Sequence, residues 1–548
     1  MSIVELAQKT LAGRIKNARY ENPVITKELR SRMRGARAHQ IMMAYVLLMA
    51  IVLFCIYYSQ WMDVAGSADP QSWFDSRLGF RLFSSLTWLQ AVLIGLIAPS
   101  LTSGCITIEK EQQTIEMLSL TTLSARNIIV GKLMSGYLFV LMLLACSLPL
   151  AGMCLMFGSV SPAEIAVTYL ILAAWAFLFS SIGVFCSAQF KKTATASLIA
   201  FGTVFIYAFL TTLWAAECKY GHNTNSILGG LSGCMALDHS LDMAQVFYIR
   251  LPVALAGIAI NTAIGILLAV LATTRLPFHR IDRAVLIRTM LLGISLATLF
   301  LFVGNALSGL LGTTPGQESD FATFMFVILL AVFIPAVPIF STGPIGKNAN
   351  PVSSLTREPI FRKAFENRPA GGLFFLALWW AAACAVVIAT FAYANSYSPV
   401  GSTGTYSFDL VNILQASIGL LGAIIAWGAI GMLFSSIMPN KNSAVVLVLL
   451  IIALAWAIYP LMLWQHESSY NYTWENQSGI MWQAAYLWPG TTIGEMSGGW
   501  HPGSTGPILW LDKGLTGVGC LAAWGIVAVI ALSLSGKYYK RGRGIPDE

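Results

Sequence analysis

The stretch from Leu82 to Val140 reads LFSSLTWLQAVLIGLIAPSLTSGCITIEKEQQTIEMLSLTTLSARNIIVGKLMSGYLFV. Two long apolar runs flank a strip, EKEQQTIEMLSLTTLS, in which Glu109, Lys110, Glu111 and Glu116 fall within eight residues. Apolar runs of about 20 residues match the ~30 Å hydrocarbon core of a bilayer. A charge left near the middle of that core costs roughly 3 kcal/mol. The flanks therefore cross a membrane, and the strip between them lies in water or against protein.

Working outward, the same reading applies to the whole chain of 548 residues, which is 56% hydrophobic and 11% charged with a mean hydropathy of +0.70. It predicts twelve spans. The first six are Ile41–Tyr58, Leu82–Thr102, Ile128–Met156, Ile165–Ala188, Thr195–Trp214 and Pro252–Leu271. The second six are Thr289–Leu307, Phe321–Phe340, Leu373–Tyr393, Leu410–Phe434, Val445–Trp464 and Leu515–Leu534. Pro149 is expected to kink or break the third. The fold class expected is an all-α polytopic membrane protein, with an interfacial amphipathic helix at its N-terminus.

Charge sets the orientation. With twelve crossings both termini share one side, and 28 of the 33 Lys and Arg fall there; the others are Arg77, Arg81, Lys219, Arg250 and Lys513. The bias has the sense of the positive-inside rule, which puts both termini and the strip in the cytoplasm. The net charge of +8 then lies along one membrane face and meets anionic lipid heads, so no nucleic-acid partner is expected. The first apolar run starts at Ile41, after nine basic residues, and is long enough to span, so no cleavable leader is expected.

Residues 1–40 form the first segment. In NPVITKELRSRMR, Asn22 is a suitable N-cap and Pro23 suits the first helical position. Ile25, Leu29 and Met33 make one apolar stripe, and Lys27, Arg30, Arg32 and Arg34 cover much of the rest. That is the pattern of a helix lying in the inner interface, its bases toward lipid phosphates.

The two halves, 41–275 and 276–548, share a layout. IGVFCSAQFKKTATAS from Ile182 resembles IGMLFSSIMPNKNSAV from Ile430 at an offset of 248 residues, which suggests a six-plus-six duplication. NPV at 22–24 and again at 350–352 gives a competing register of 328.

Several chemistries lack their residues. No G-x-x-x-x-G-K-[ST] phosphate loop occurs, the nearest string being GPIGKN at 343–348, so no cofactor is expected in this chain. HExxH and paired CxxC zinc motifs are missing too, and no catalytic or metal site is expected. The spans offer neutral polar groups, Gln90, Tyr137, Tyr169, Asn261, Asn305, Asn412 and Gln415, with ionisable Glu164, Arg250 and Arg288 only at their ends. Ion-coupled carriers need buried ionisable relays. Among nine cysteines, Cys218 and Cys234 share one outer loop; a disulfide or two free thiols both fit.

The strip admits two readings. As a helix over 108–118, Ile108, Ile115 and Leu118 form one face and Glu109, Gln113 and Glu116 another, with Ser124 capping the next span. As a plain solvated loop, it only returns the chain.

Glu109, Glu111, Thr114, Glu116, Leu118, Thr121, Ser124, Gly131 and Lys132 fit an E-x-E-x-x-T-x-E-x-L core followed by T-x-x-S and G-K. This resembles the inner-loop motif of type-2 ABC transporter permeases, and the basic helix at 22–34 is similar to that family's connecting helix. The resemblance implies a permease of an ATP-driven exporter in a bacterial cytoplasmic (inner) membrane. It implies a coupling helix that docks a cytoplasmic ABC ATPase subunit through Glu109, Glu111, Thr114, Glu116 and Leu118; Arg126, just beyond the core, is added here. ATP and magnesium would belong to that ATPase, and family permeases pair, so a second permease chain is a possible partner. The second half lacks the core and keeps only TREPIFRKAF in its inner loop. Against this stand a twelve-span secondary carrier and a non-transporting membrane scaffold or enzyme.

Overall fold

The structure is a computed structural model and describes residues 23–33, 36–65, 78–114, 125–158, 160–220, 227–238, 240–246, 249–275, 284–310, 369–396, 410–437 and 516–541, with a few isolated positions between. The chain divides into two compact units, Met1–Ile281 and Asp282–Glu548.

The first unit opens with α1 (Pro23–Met33), which starts at the proline expected to start it. The long helices follow: α2 (Ala36–Ala65), α3 (Leu78–Thr102), the short α4 (Thr107–Glu111), α5 (Ala125–Met156), α6 (Pro162–Gln189), α7 (Thr193–Tyr220) and α8 (Val253–Thr274). Among the described residues nine helical stretches are long and apolar enough to cross a membrane, and a tenth expected span falls on the shorter apolar stretch Leu521–Ser535. The expected spans Phe321–Phe340 and Val445–Trp464 lie outside the described residues, isolated positions aside. Pro149 does not break α5, which continues to Met156.

Helix α6 is the pillar of this unit. Two-thirds of its membrane stretch is buried (67%), against 11% for α2 and 17% for α7. A capping box starts it: the Ser161 hydroxyl accepts from the Glu164 amide, and the Glu164 carboxylate accepts from the Ser161 amide. The role of Glu164 is thus structural. Trp175 and Phe179 of α6 pack among Ala91, Ile94 and Ala98 of α3, Val140 and Leu144 of α5, and Ala200 and Val204 of α7. Small residues let these backbones close up, as they do in other membrane bundles. A Cβ at Gly183 would fall 2.0 Å from the Thr102 hydroxyl.

The segment between α7 and α8 departs from the outer loop expected there. A 3-10 turn, Ile227–Leu231, leads into buried residues, Cys234, Met235, Ala236 and Leu237 among them. Trp175 of α6 donates its indole N–H to the Leu231 carbonyl at 2.7 Å. The segment therefore folds back onto the bundle. It then runs through a short antiparallel hairpin, β1 (Met243–Val246) with β2 (Ile249–Pro252), pairing Met243 with Pro252 and Val246 with Ile249. Cys234 is a free, buried thiol, and the side chain of Cys218, considered as its disulfide partner, lies outside the described residues.

In the second unit α9 (Ala284–Leu310), α10 (Pro369–Ser396), α11 (Leu410–Ile437) and α12 (Thr516–Arg541) are described. Helix α11 packs on α12 through Ala426, Ala429, Ala528 and Ala531. Trp379 and Trp380 of α10 donate to the Ser295 hydroxyl (2.7 Å) and the Ser417 carbonyl (2.9 Å). Both ends of α11 lie 248 residues beyond those of α6, and α11 is buried to the same extent (67%). Helix α9 likewise begins 248 residues after α2, whereas α10 begins 244 after α5 and α12 begins 263 after α8.

The seam between the folded-back outer segment and α8 has no room for a side chain. A Cβ at Gly257 would fall 1.9 Å from the Gly230 carbonyl oxygen, which is backbone and cannot rotate away. Gly257→Ala is therefore expected to cost about 2 kcal/mol through overpacking, seen as a lowered unfolding temperature in detergent. Gly202→Ala in α7, where an added Cβ meets nothing within 4 Å, is the control and should not destabilise.

Candidate functional site

The ends of α3, α5, α6 and α7 converge on α4. Helix α1 approaches first. Its Arg32 donates to the Leu101 carbonyl of α3 at 3.1 Å, and its Glu28 carboxylate lies 3.7 Å from the Lys132 ammonium. Met33 packs with Ala38, Tyr45, Phe139 and Leu143. Part of the apolar stripe thus faces protein, while Lys27 and Arg30 are exposed; Arg34 lies outside the described residues.

The chain stays helical beyond Leu101, with Ser103 N–H donating to Pro99, Ile108 to Gly104 and Lys110 to Ile106. Helix α4 then closes abruptly. The Gln113 amide donates to the Lys110 carbonyl and the Thr114 amide to the Glu109 carbonyl, with Gln113 at φ 59°. This is the Schellman stop, normally made by glycine, carried here by glutamine. It corrects the expected helix over 108–118, which ends at Glu111. Gln113 leaves the helical path. Residues 115–124, with Glu116 and Leu118 among them, lie outside the described residues.

Three consecutive charges on α4 go to three different helices. Glu109 accepts from the Lys132 ammonium of α5 at 2.7 Å. Lys132 also donates to the Cys105 carbonyl at 2.8 Å and is only 5% exposed. The sequence reading kept ionisable groups at span ends; Lys132 is a buried cation inside α5, and it is stable there because a carboxylate and a carbonyl replace its water.

Lys110 takes the end of α6. Its ammonium donates to the carbonyls of Ser187 (2.9 Å), Ala188 (2.5 Å) and Phe190 (2.8 Å). These belong to the last turn of a helix, where carbonyls lack partners and the dipole favours a cation. The return contact comes from Ser187, whose hydroxyl accepts from the Ile106 and Thr107 amides at 2.8 and 3.0 Å. Each helix thus caps the other. Glu111 takes the start of α7, accepting from the Thr193 amide at 2.7 Å, where the dipole favours an anion. Thr193 and Thr107 join their hydroxyls at 3.0 Å.

Of the six residues expected in the strip, the structure brings Glu109 and Glu111 into this clasp and leaves Thr114 and Arg126 exposed. Ile108 is 47% exposed. Glu28, Lys110, Ser187 and Thr193 were missed as members, because each lies far along the chain from its partner or served another reading.

A second polar set lies deeper. Gln90 of α3 donates to the Ser147 hydroxyl of α5 (2.7 Å) and the Tyr169 hydroxyl of α6 (3.0 Å), and the two hydroxyls are 3.0 Å apart. Gln90 is eleven residues from Leu101, roughly 16 Å along a helix, which places the set near mid-membrane. Tyr207 of α7 donates to Asn261 of α8 at 2.5 Å. These neutral groups hold helices together.

The sequence profile described as ABC-2 family transporter protein matches residues 23–307, from the first residue of α1 almost to the end of α9. The match covers more than half of the chain, and the chain belongs to that family. It is an integral membrane protein of the permease type, a transport subunit. No individually curated protein matches it.

Removing one partner of the buried pair should be severe. Lys132→Met strands the Glu109 carboxylate and is expected to cost about 3 kcal/mol. Glu109→Gln keeps a neutral acceptor but takes the carboxylate from the buried Lys132, and should cost about 2 kcal/mol. Unfolding temperatures of the purified variants in one detergent rank them.

Proposed function

We propose that this member of the ABC-2 transporter family is the membrane-spanning permease of an ATP-driven exporter. A separate cytoplasmic ABC ATPase subunit, carrying ATP and magnesium, docks on the strip around α4. The membrane is the bacterial cytoplasmic membrane, with both termini inside. The observation that carries this is the clasp: a five-residue helix projects at the inner face and is tied by adjacent side chains to the ends of α5, α6 and α7. A displacement imposed on such a segment reaches three spans together.

The chain has no phosphate loop of its own, which is why the motor is placed on a partner. The cargo is apolar or amphipathic, since the polar side chains described near mid-membrane in the first unit, Gln90, Ser147, Tyr169, Tyr207 and Asn261, are neutral. The 248-residue spacing of α6 and α11, equally buried, and of α2 and α9 supports a chain that supplies both permease units itself, with pairing to a second copy as the alternative arrangement.

The test is co-expression with a Walker-A ATPase encoded beside it, purification on a tag carried by this chain, and reconstitution in nanodiscs. The ATPase is expected to copurify at fixed stoichiometry, and its turnover is expected to change on reconstitution. An ATPase that separates in mild detergent, and whose turnover ignores the chain in nanodiscs, overturns the proposal.

A further inference from the structure

The docking face carries the opposite sign from the one the strip's composition suggests. Its described acids are spent internally: Glu109 on Lys132, and Glu111 on the Thr193 amide. Lys110 is spent on the end of α6. Among the described residues the bases beside them show no such partner. Lys191 and Lys192 form the turn between α6 and α7 and are exposed. That turn is held against α4 at both ends, because Phe190 accepts from Lys110 and Thr193 donates to Glu111. Arg126 is exposed on the first turn of α5, next to Ala125, which is buried with Ile106. Among the described residues this face therefore presents three bases, one engaged carboxylate and the apolar side chain of Ile108.

We infer that Lys191, Lys192 and Arg126 form, with Ile108, a basic docking face whose occupant is an acidic groove with an apolar pocket on the cytoplasmic ATPase. This rests on the docking proposed above and names its chemistry. Anionic lipid heads are the other ligand such bases could meet; the exposed Glu111 carboxylate among them, which an anionic surface would repel, favours a protein partner.

The experiment titrates the ATPase identified by copurification onto the full-length chain in nanodiscs, at low and high salt. The Lys191→Glu/Lys192→Glu variant is expected to weaken binding at least tenfold and to flatten its salt dependence. The milder Lys191→Ala/Lys192→Ala variant, which keeps the turn neutral, should weaken it about threefold. Lys27→Glu/Arg30→Glu on α1 should leave ATPase affinity unchanged. Unchanged affinity in both lysine-pair variants, with the unaltered chain binding normally, overturns the inference and leaves the docking proposal standing. So does a loss that appears only in discs containing anionic lipid. Failure of the unaltered chain to bind overturns the docking proposal and this inference with it.

Discussion

The α4 end of the first unit depends on how two helix ends are satisfied across a very short turn. Helix α6 stops at Gln189 and α7 starts at Thr193, with three residues between them. Such a turn cannot supply partners for the orphan carbonyls of one helix and the orphan amides of the next. Two adjacent side chains of α4 do so from outside, a lysine at the negative end and a glutamate at the positive end. Once α4 is held there, Glu109 is carried to Lys132, and the buried lysine has the carboxylate it needs. Without these contacts the lysine would be an unpaired charge among apolar side chains.

The large features were legible in the sequence because they are local or additive. Apolar run length gave the spans, the distribution of Lys and Arg gave a side for the strip, and Pro23 marked a helix start. The composition of Glu109–Glu111 showed a segment unable to enter lipid. What these charges do was not legible, because their partners lie 23 to 82 residues away and only folding brings them together. The end of α4 was missed for a different reason. Gln113 carries the left-handed turn that glycine normally signals, so no local residue announced it. Lys132 was overlooked as a membrane charge because its neutralising partners are long-range.

The outer segment was missed because polarity alone does not tell a solvated loop from one that folds back. Its buried stretch, Ser232 to Leu237, is short and rich in small residues, too brief to register as a span. It is held by an indole hydrogen bond from α6 and by backbone contact at Gly230 and Gly257. The same pillar, α6, thus carries the inner clasp at its C-terminal end and the folded-back segment nearer its N-terminal end. The two faces of the unit are joined through one rigid element.

The Glu109–Lys132 pair also bears on how the chain is made. Its members are 23 residues apart and belong to one helical hairpin, α3 with α5. At about 5–20 residues per second of synthesis, both emerge within a few seconds of each other. Lys132 therefore finds its counter-ion in a segment made just before it, whereas Ser187 and Thr193 lie 55 and 61 residues further along the chain. The salt bridge is the part of the inner face that can close first, and the caps on α6 and α7 are added to a hairpin whose charge is already neutralised.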